Sequence, residues 1–167
     1  MGTFIKIIFN KMDFRRVGLL YITGFCLLFF SCESEESCEQ SIVSALNAGF
    51  YSVPDSIPES ISVDNFTVYG IGRADSLIYD QASSVGSFVL PLSPSCDTTG
   101  FVFTLGVVTD TVTFLYSREL HLLSMECGFT TYYYIKMTDN TSNVIDSISV
   151  VKKNVTTGND ENIQIYL

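Results

Sequence analysis

From Ser41 to its C-terminal end, the chain is divided into short segments rich in β-branched and aromatic residues, separated by turn-forming residues. In Phe101–Leu105 and Ile145–Val151, apolar and polar residues alternate, which is typical of strands with one buried face. The spacing of the segments is that of an all-β sandwich. We therefore predict a single antiparallel β-sandwich, immunoglobulin-like or similar, of about eight or nine short strands. The predicted strands cover residues 45–53, 61–70, 76–79, 87–92, 100–105, 111–117, 129–137, 144–152 and 162–167.

Two local patterns refine this prediction. Gly106–Asp110 is predicted to be the loop of a hairpin, because it lies between two strongly β-forming segments. In the aromatic strand, the period of two places Tyr133 on the face opposite to Tyr132 and Tyr134, so that at most one or two of the three rings are exposed.

The N-terminal part of the chain has a different character. Val17–Phe30 is a run of fourteen uncharged, mostly apolar residues that follows Arg15 and Arg16. A membrane-spanning helix needs about 20 such residues, so the run is typical of the apolar region of a signal peptide. Its end, Leu28–Cys32, resembles a bacterial lipobox, in which the cysteine is acylated and becomes the first residue. The alternative is an ordinary secretory signal that is cut nearby, with Cys32 an incidental thiol.

These features predict three segments: a lipoprotein signal peptide at 1–31, a lipidated Cys32 with an acidic tether at 32–40, and a β-sandwich domain at 41–167. After the predicted cut, five basic residues stand against seventeen acidic ones, a net charge of −12. Such a domain is repelled by nucleic acid and by anionic lipid, so we expect no nucleic-acid partner and attachment to the membrane only through the lipid anchor.

The acidic stretch Glu33–Gln40 resembles the signal that sends Bacteroidota lipoproteins to the outer face of the outer membrane, and a solvated linker is the alternative. We predict an outer-membrane location, on the periplasmic or the cell-surface face.

Six motifs lie between Cys38 and the C-terminal end, at 66–73, 75–80, 90–92, 111–119, 126–129 and 154–156. Together they resemble an uncharacterised family of small Bacteroidota lipoproteins, known as a domain of unknown function. The resemblance implies a secreted lipoprotein with a β-rich domain, and it implies no activity.

Three thiols remain if Cys32 carries lipid, and an oxidising compartment favours one disulfide among them. We favour Cys38–Cys127, because this bridge would hold the start of the domain against a position just before the aromatic strand. Cys96 lies in a loop that contains proline. Sequence alone leaves the other pairings open.

Residues that could perform catalysis are few. His121 is the sole histidine and has no nucleophile motif beside it. The alternatives to a non-catalytic histidine are a thiol–imidazole pair of Cys127 with His121 and a pair of glycosidase carboxylates, Glu119 and Glu126. Asp139–Asn143 offers oxygen ligands for calcium but lacks the EF-hand pattern and is typical of a turn.

We therefore predict no catalytic residue, metal or cofactor. The prediction for function is a non-catalytic binding or structural module of the cell envelope, with an envelope protein or a glycan as partner. The alternatives are an envelope enzyme with an unrecognised site and a carbohydrate-binding module.

Five aspartates are followed by Ser or Thr and then by an aliphatic residue or Thr, a triplet that resembles the acceptor for periplasmic O-glycosylation in Bacteroidota. Turns that lead into strands explain the same triplets structurally. Ser56 and Thr98 lie in predicted loops near prolines, where a glycan would not disturb packing, and are therefore the predicted acceptors.

Overall fold

The structure, a computed structural model, describes residues 38–167. The predicted signal peptide, Cys32 and most of the tether lie outside the described residues. Within 38–167 no helix is long and apolar enough to cross a membrane. A short 3₁₀ turn covers Pro54–Ser56. The eleven strands are β1 (Ala45–Ser52), β2 (Glu59–Ser60), β3 (Phe66–Gly70), β4 (Leu77–Ala82), β5 (Ser87–Pro91), β6 (Thr98–Leu105), β7 (Val108–Ser124), β8 (Gly128–Asn140), β9 (Ser147–Val150), β10 (Asn154–Val155) and β11 (Ile163–Tyr166).

The strands form two sheets that pack face to face, which confirms the predicted all-β sandwich. The larger sheet has the order β10-β8-β7-β6-β3-β4. In the smaller sheet β1 lies beside β11, which continues to β9, and both β2 and β5 pair with the other edge of β1. All pairs are antiparallel except β1 with β11, which are parallel with Ala48 opposite Ile163. These two strands come from opposite ends of the domain, so no tight turn constrains their direction.

Aromatic side chains fill the space between the sheets. Phe66 of β3 is fully buried, and its ring centroid lies 5.1 Å from that of Phe50 and 5.0 Å from that of Phe88, both in the smaller sheet. The ring centroid of Phe103, in β6, lies 5.6 Å from that of Phe66 and 5.7 Å from that of Phe88. Because the chain contains no tryptophan, phenylalanine and tyrosine supply the large apolar areas that a core of this size needs.

The largest difference from the predicted strands is the length of β7, which was expected to cover 111–117 and in fact begins at Val108 and ends at Ser124. The predicted loop Gly106–Asp110 is shorter than expected, because Leu105 pairs with Val108 and only Gly106 and Val107 form the turn. Gly106 has a φ of 63°, as the first central residue of a tight two-residue hairpin turn often has. Asp110 therefore lies inside a strand.

Candidate functional site

The longest element of the molecule is the hairpin of β7 and β8, whose far end we call the hairpin tip (residues 120–129). Val112, Phe114 and Tyr116 of β7 alternate into the core, and β8 pairs with β7 as far as Ser124 opposite Gly128. The turn between them is closed by the backbone N–H of Cys127, which donates to Ser124 Oγ at 3.0 Å.

The outer face of this hairpin carries a groove with aromatic and polar walls, which we call the tyrosine groove. Tyr132 lies opposite Glu119 and Tyr134 opposite Ser117, so these four side chains share one face of the sheet. Tyr134 keeps 45% of its surface exposed, whereas Tyr133 is buried, so the two lie on opposite faces, as the alternation predicted. The groove has a volume of about 620 Å³ and is lined by Ser117, Arg118, Glu119, Tyr132, Tyr133, Tyr134, Asn154 and Thr156.

Two further side chains contact the tyrosine rings of the groove. The imidazole of His121 stacks on Tyr132, with ring centroids 4.2 Å apart and planes 16° from parallel. The Nζ atom of Lys153 lies 5.9 Å from the centroid of Tyr134, within the range of a cation–π contact. A groove with one exposed aromatic face and several amide, hydroxyl and charged groups suits a polar ligand that also has an apolar face.

Buried tyrosines support the floor of the groove. Tyr133 OH donates to the carbonyl of Leu92 at 3.2 Å, and burial, together with the neighbouring Tyr116, raises the pKa of Tyr133 above 10.0, although Arg118 opposes this shift. Tyr116 OH lies 2.6 Å from Thr99 Oγ1 and accepts a hydrogen bond from the backbone N–H of Ser93 at 3.0 Å. These contacts fix the loop after β5 against the hairpin.

Arg118 connects the same loop to the edge of the groove. Its Nε donates to Asp97 Oδ1 at 2.7 Å and its Nη1 donates to the carbonyl of Pro94 at 2.6 Å. The guanidinium therefore has structural partners and does not point freely toward a ligand. Cys96, between Pro94 and Asp97, is exposed and unpaired.

Cys38 and Cys127 form a disulfide with their Cα atoms 4.9 Å apart, which is the pairing that the sequence analysis favoured. The bond joins the first described residue to the hairpin tip, 89 positions away in the sequence. The contact continues along the chain, since Thr130 Oγ1 donates to the carbonyl of Ile42 at 2.7 Å and lies 3.5 Å from Ser44 Oγ. Residues 38–44 are thus fixed alongside the hairpin.

The candidate catalytic pairs are not assembled by the fold. Cys127 is held in the disulfide, so its sulfur is not a nucleophile that His121 could activate. Glu119 lies in β7 beside the tyrosine groove, whereas Glu126 is exposed in the turn of the hairpin tip. Among residues 38–167, no group of three or more His, Cys, Asp and Glu is placed to hold a metal ion.

Asp110 is the polar residue that the sequence analysis missed. It is 1% exposed and accepts four hydrogen bonds: from Thr141 Oγ1 at 2.5 Å, and from the backbone N–H groups of Asn143, Val144 and Ile145 at 2.9, 2.8 and 3.0 Å. Burial alone would raise the pKa of Asp110, but these bonds outweigh it and lower the pKa from 3.8 to about 2. The turn at Asp139–Asn143, which offers oxygen ligands for calcium, is therefore held by hydrogen bonds to a carboxylate from β7.

The two predicted glycosylation sites are both exposed. Ser56 ends the 3₁₀ turn with a φ of 69°, and Thr98 is the first residue of β6 rather than part of a loop, paired with Leu115. Thr98 also borders a second cavity, of about 560 Å³, which Cys96 and Arg73 help to line.

Comparison with known proteins gives a family and no activity. A family model described as "Family of unknown function (DUF6452)" matches residues 65–167. No curated protein and no solved structure matches the chain. The matched region contains β3–β11, including the whole β7–β8 hairpin and the tyrosine groove.

Proposed function

Because this chain belongs to the DUF6452 family of unknown function, which supplies no activity to transfer, we propose its function from its own residues. We propose a lipid-anchored protein of the bacterial outer membrane, of the kind made by Bacteroidota, whose sandwich is a non-catalytic binding or structural module. The observation that carries this proposal is the disulfide between Cys38 and Cys127. Only five residues separate Cys38 from the proposed lipidated Cys32. A mechanical force on the anchor would therefore reach the longest hairpin directly through the covalent Cys38–Cys127 bond.

The non-catalytic role is supported by what the reactive side chains do. Cys127 is oxidised, Asp110 accepts hydrogen bonds from a turn, and His121 stacks on Tyr132. Each of these groups has a structural partner. The net charge of −12 for the proposed mature chain also disfavours nucleic acid as a partner.

We expect Cys32→Ala to abolish lipid labelling of the protein and to release it from the membrane fraction. A single thiol would carry all the acyl chains, and the net negative charge gives the domain no electrostatic attraction for an anionic lipid surface. The measurement is incorporation of a clickable palmitate in a bacterial host, with fractionation of the cells. Cys96→Ala is the matched control, because this thiol is exposed and unpaired. Labelling of Cys32→Ala at the wild-type level would refute the anchor.

The intact mass of the wild-type protein from its native host tests the modification proposals together. Lipid on Cys32 adds a mass that the Cys32→Ala variant lacks, and glycans at Ser56 or Thr98 add further mass that this variant would retain if it is still exported. A mass equal to polypeptide plus lipid alone would remove the glycosylation proposal.

A second candidate function is carbohydrate binding in the tyrosine groove. The observation that favours it is the exposed ring of Tyr134 beside Lys153, Glu119 and Asn154, since sugars present an apolar face for stacking and hydroxyl groups for polar side chains.

If the groove binds glycans, we expect Tyr134→Ala to weaken binding to bacterial envelope polysaccharides by about tenfold, the effect of losing one good stacking contact. Tyr69→Ala, on β3 and outside the groove, is the control and should bind as the wild type does. Equal binding by both variants, or no binding by the wild-type protein on an array of such polysaccharides, would exclude this candidate.

A further inference from the structure

The hairpin tip exposes a cluster of large apolar side chains. Phe129 is 63% exposed, Leu120 68% and Met125 84%, and Leu122 is also exposed. Leu122 pairs directly with Phe129, and Leu120 lies two residues from Leu122 on the same strand, so these three side chains project from the same face. That face is the continuation of the one that Val112, Phe114 and Tyr116 present to the core.

This cluster is unlike the scattered apolar residues of an ordinary surface. A single exposed leucine needs no explanation, whereas several neighbouring ones at the end of one hairpin mark a place that contacts something apolar. The opposite end of the same strand exposes Val107, at 97%, in a two-residue turn that also contains Gly106.

The start of the folded domain indicates what covers the cluster. Cys38 is bonded to Cys127, which lies in the turn between Met125 and Phe129. From Cys32 to Cys38 there are six peptide links, which span at most roughly 20 Å when fully extended. A lipid on Cys32 would therefore keep the membrane surface within that distance of the hairpin tip, whichever way the domain turns.

We propose that the hairpin tip is a second membrane contact, in which Leu120, Leu122, Met125 and Phe129 insert into the interface of the bilayer that holds the lipid anchor. This inference rests on the proposed function, because the anchor supplies the proximity. Burial of apolar side chains at the lipid boundary is the driving force, and the acidic domain, with Glu126 exposed in the tip itself, selects an uncharged lipid surface. The long hairpin would then hold the domain upright, with Val107 directed away from the membrane.

The absence of tryptophan from the chain permits a clean test. Phe129→Trp places one fluorophore in the hairpin tip, and Val107→Trp places one at the other end of β7, roughly 50 Å away for a strand of 17 residues. Both variants are produced as full-length chains with their own leader. They are then purified in detergent and reconstituted into vesicles of phosphatidylcholine, with and without bromine on the acyl chains.

We expect the emission of Phe129→Trp to fall at least about twofold in the brominated vesicles, since an interfacial side chain lies about 5–10 Å deep, and to shift toward the blue. The emission of Val107→Trp should be the same in both kinds of vesicle. Leu122→Trp is the second probe if Phe129→Trp does not form the Cys38–Cys127 bond, which non-reducing peptide mapping detects.

The remaining outcomes each overturn the inference in a distinguishable way. Lipid on Cys32 with no quenching at position 129 would refute insertion of the tip and leave the anchor intact. Equal quenching at 107 and 129 would refute the upright orientation. If position 129 is shielded from water only by a second copy of the chain, seen as a dimer in detergent, the cluster serves self-association instead. An intact mass without lipid would refute the proposed function and this inference together.

Discussion

We expect Asp110→Asn to lower the free energy of unfolding by about 3 kcal/mol, because an amide replaces a buried carboxylate that accepts four hydrogen bonds. The amide has nearly the same size, so the packing of β7 is retained. Its NH₂ group, however, must face N–H donors of the turn that includes Asn143, Val144 and Ile145, and at least one buried donor loses its acceptor.

The same residue makes stability depend on pH. The pKa of Asp110 is lowered from 3.8 to about 2, so its contribution is fully present above pH 4 and is lost as the pH falls toward 2. A shift of this size corresponds to about 2 kcal/mol. The wild-type protein should therefore lose this amount between pH 4 and pH 2, in addition to the loss from other carboxylates, and Asp110→Asn should lack that component.

Urea unfolding followed by tyrosine fluorescence, at pH 7 and at several points between pH 4 and pH 2, measures both effects. Asp139→Asn is the matched control, since Asp139 lies on the neighbouring strand β8 but is exposed. It should unfold at the wild-type urea concentration. If Asp110→Asn unfolds there too, or shows the full wild-type pH dependence, the carboxylate does not organise the turn.

Asp110 also shows where sequence analysis stopped short. An aspartate two residues after the Gly-Val-Val segment 106–108 is typical of a loop, because aspartate favours turns. The signal that could have placed it correctly is the alternation Asp110, Val112, Phe114, Tyr116, which continues the buried face of the strand by one more step. A polar residue in register with a core face is buried, and it must find partners.

Features that depend on local periodicity were predictable, whereas those that depend on topology were not. That Tyr133 and Tyr134 lie on opposite faces follows from a period of two, and the structure shows that the face of Tyr133 is the buried one. The tyrosine groove, in contrast, needs Asn154 and Thr156, and β10 is a strand of two residues with no recognisable pattern. The extension of β7 through Arg118–Ser124 was not predicted, although Glu119–Leu122 alternates between polar and apolar residues; Leu120 and Leu122 are exposed, so this part of the strand buries no face.

The aromatic composition predicted that phenylalanine and tyrosine fill the core, and the contribution of Phe66 at its centre can be tested directly. Phe66 is fully buried and lies within 5.6 Å, centroid to centroid, of Phe50, Tyr79, Phe88 and Phe103. It therefore contacts rings of both sheets, and its removal leaves a cavity at their junction. We expect Phe66→Ala to lower the free energy of unfolding by about 3–5 kcal/mol, the usual cost of this truncation in a core that cannot collapse around the gap.

Phe129→Ala is the matched control, because it deletes the same atoms from a strand position that is mostly exposed. In detergent-free buffer its midpoint in urea should stay close to that of the wild-type protein, whereas the midpoint of Phe66→Ala should fall in proportion to the lost free energy. Phe66→Leu, which fills most of the cavity, should lie between Phe66→Ala and the wild type. Equal midpoints for Phe66→Ala and Phe129→Ala would mean that the two sheets do not depend on Phe66 for their packing.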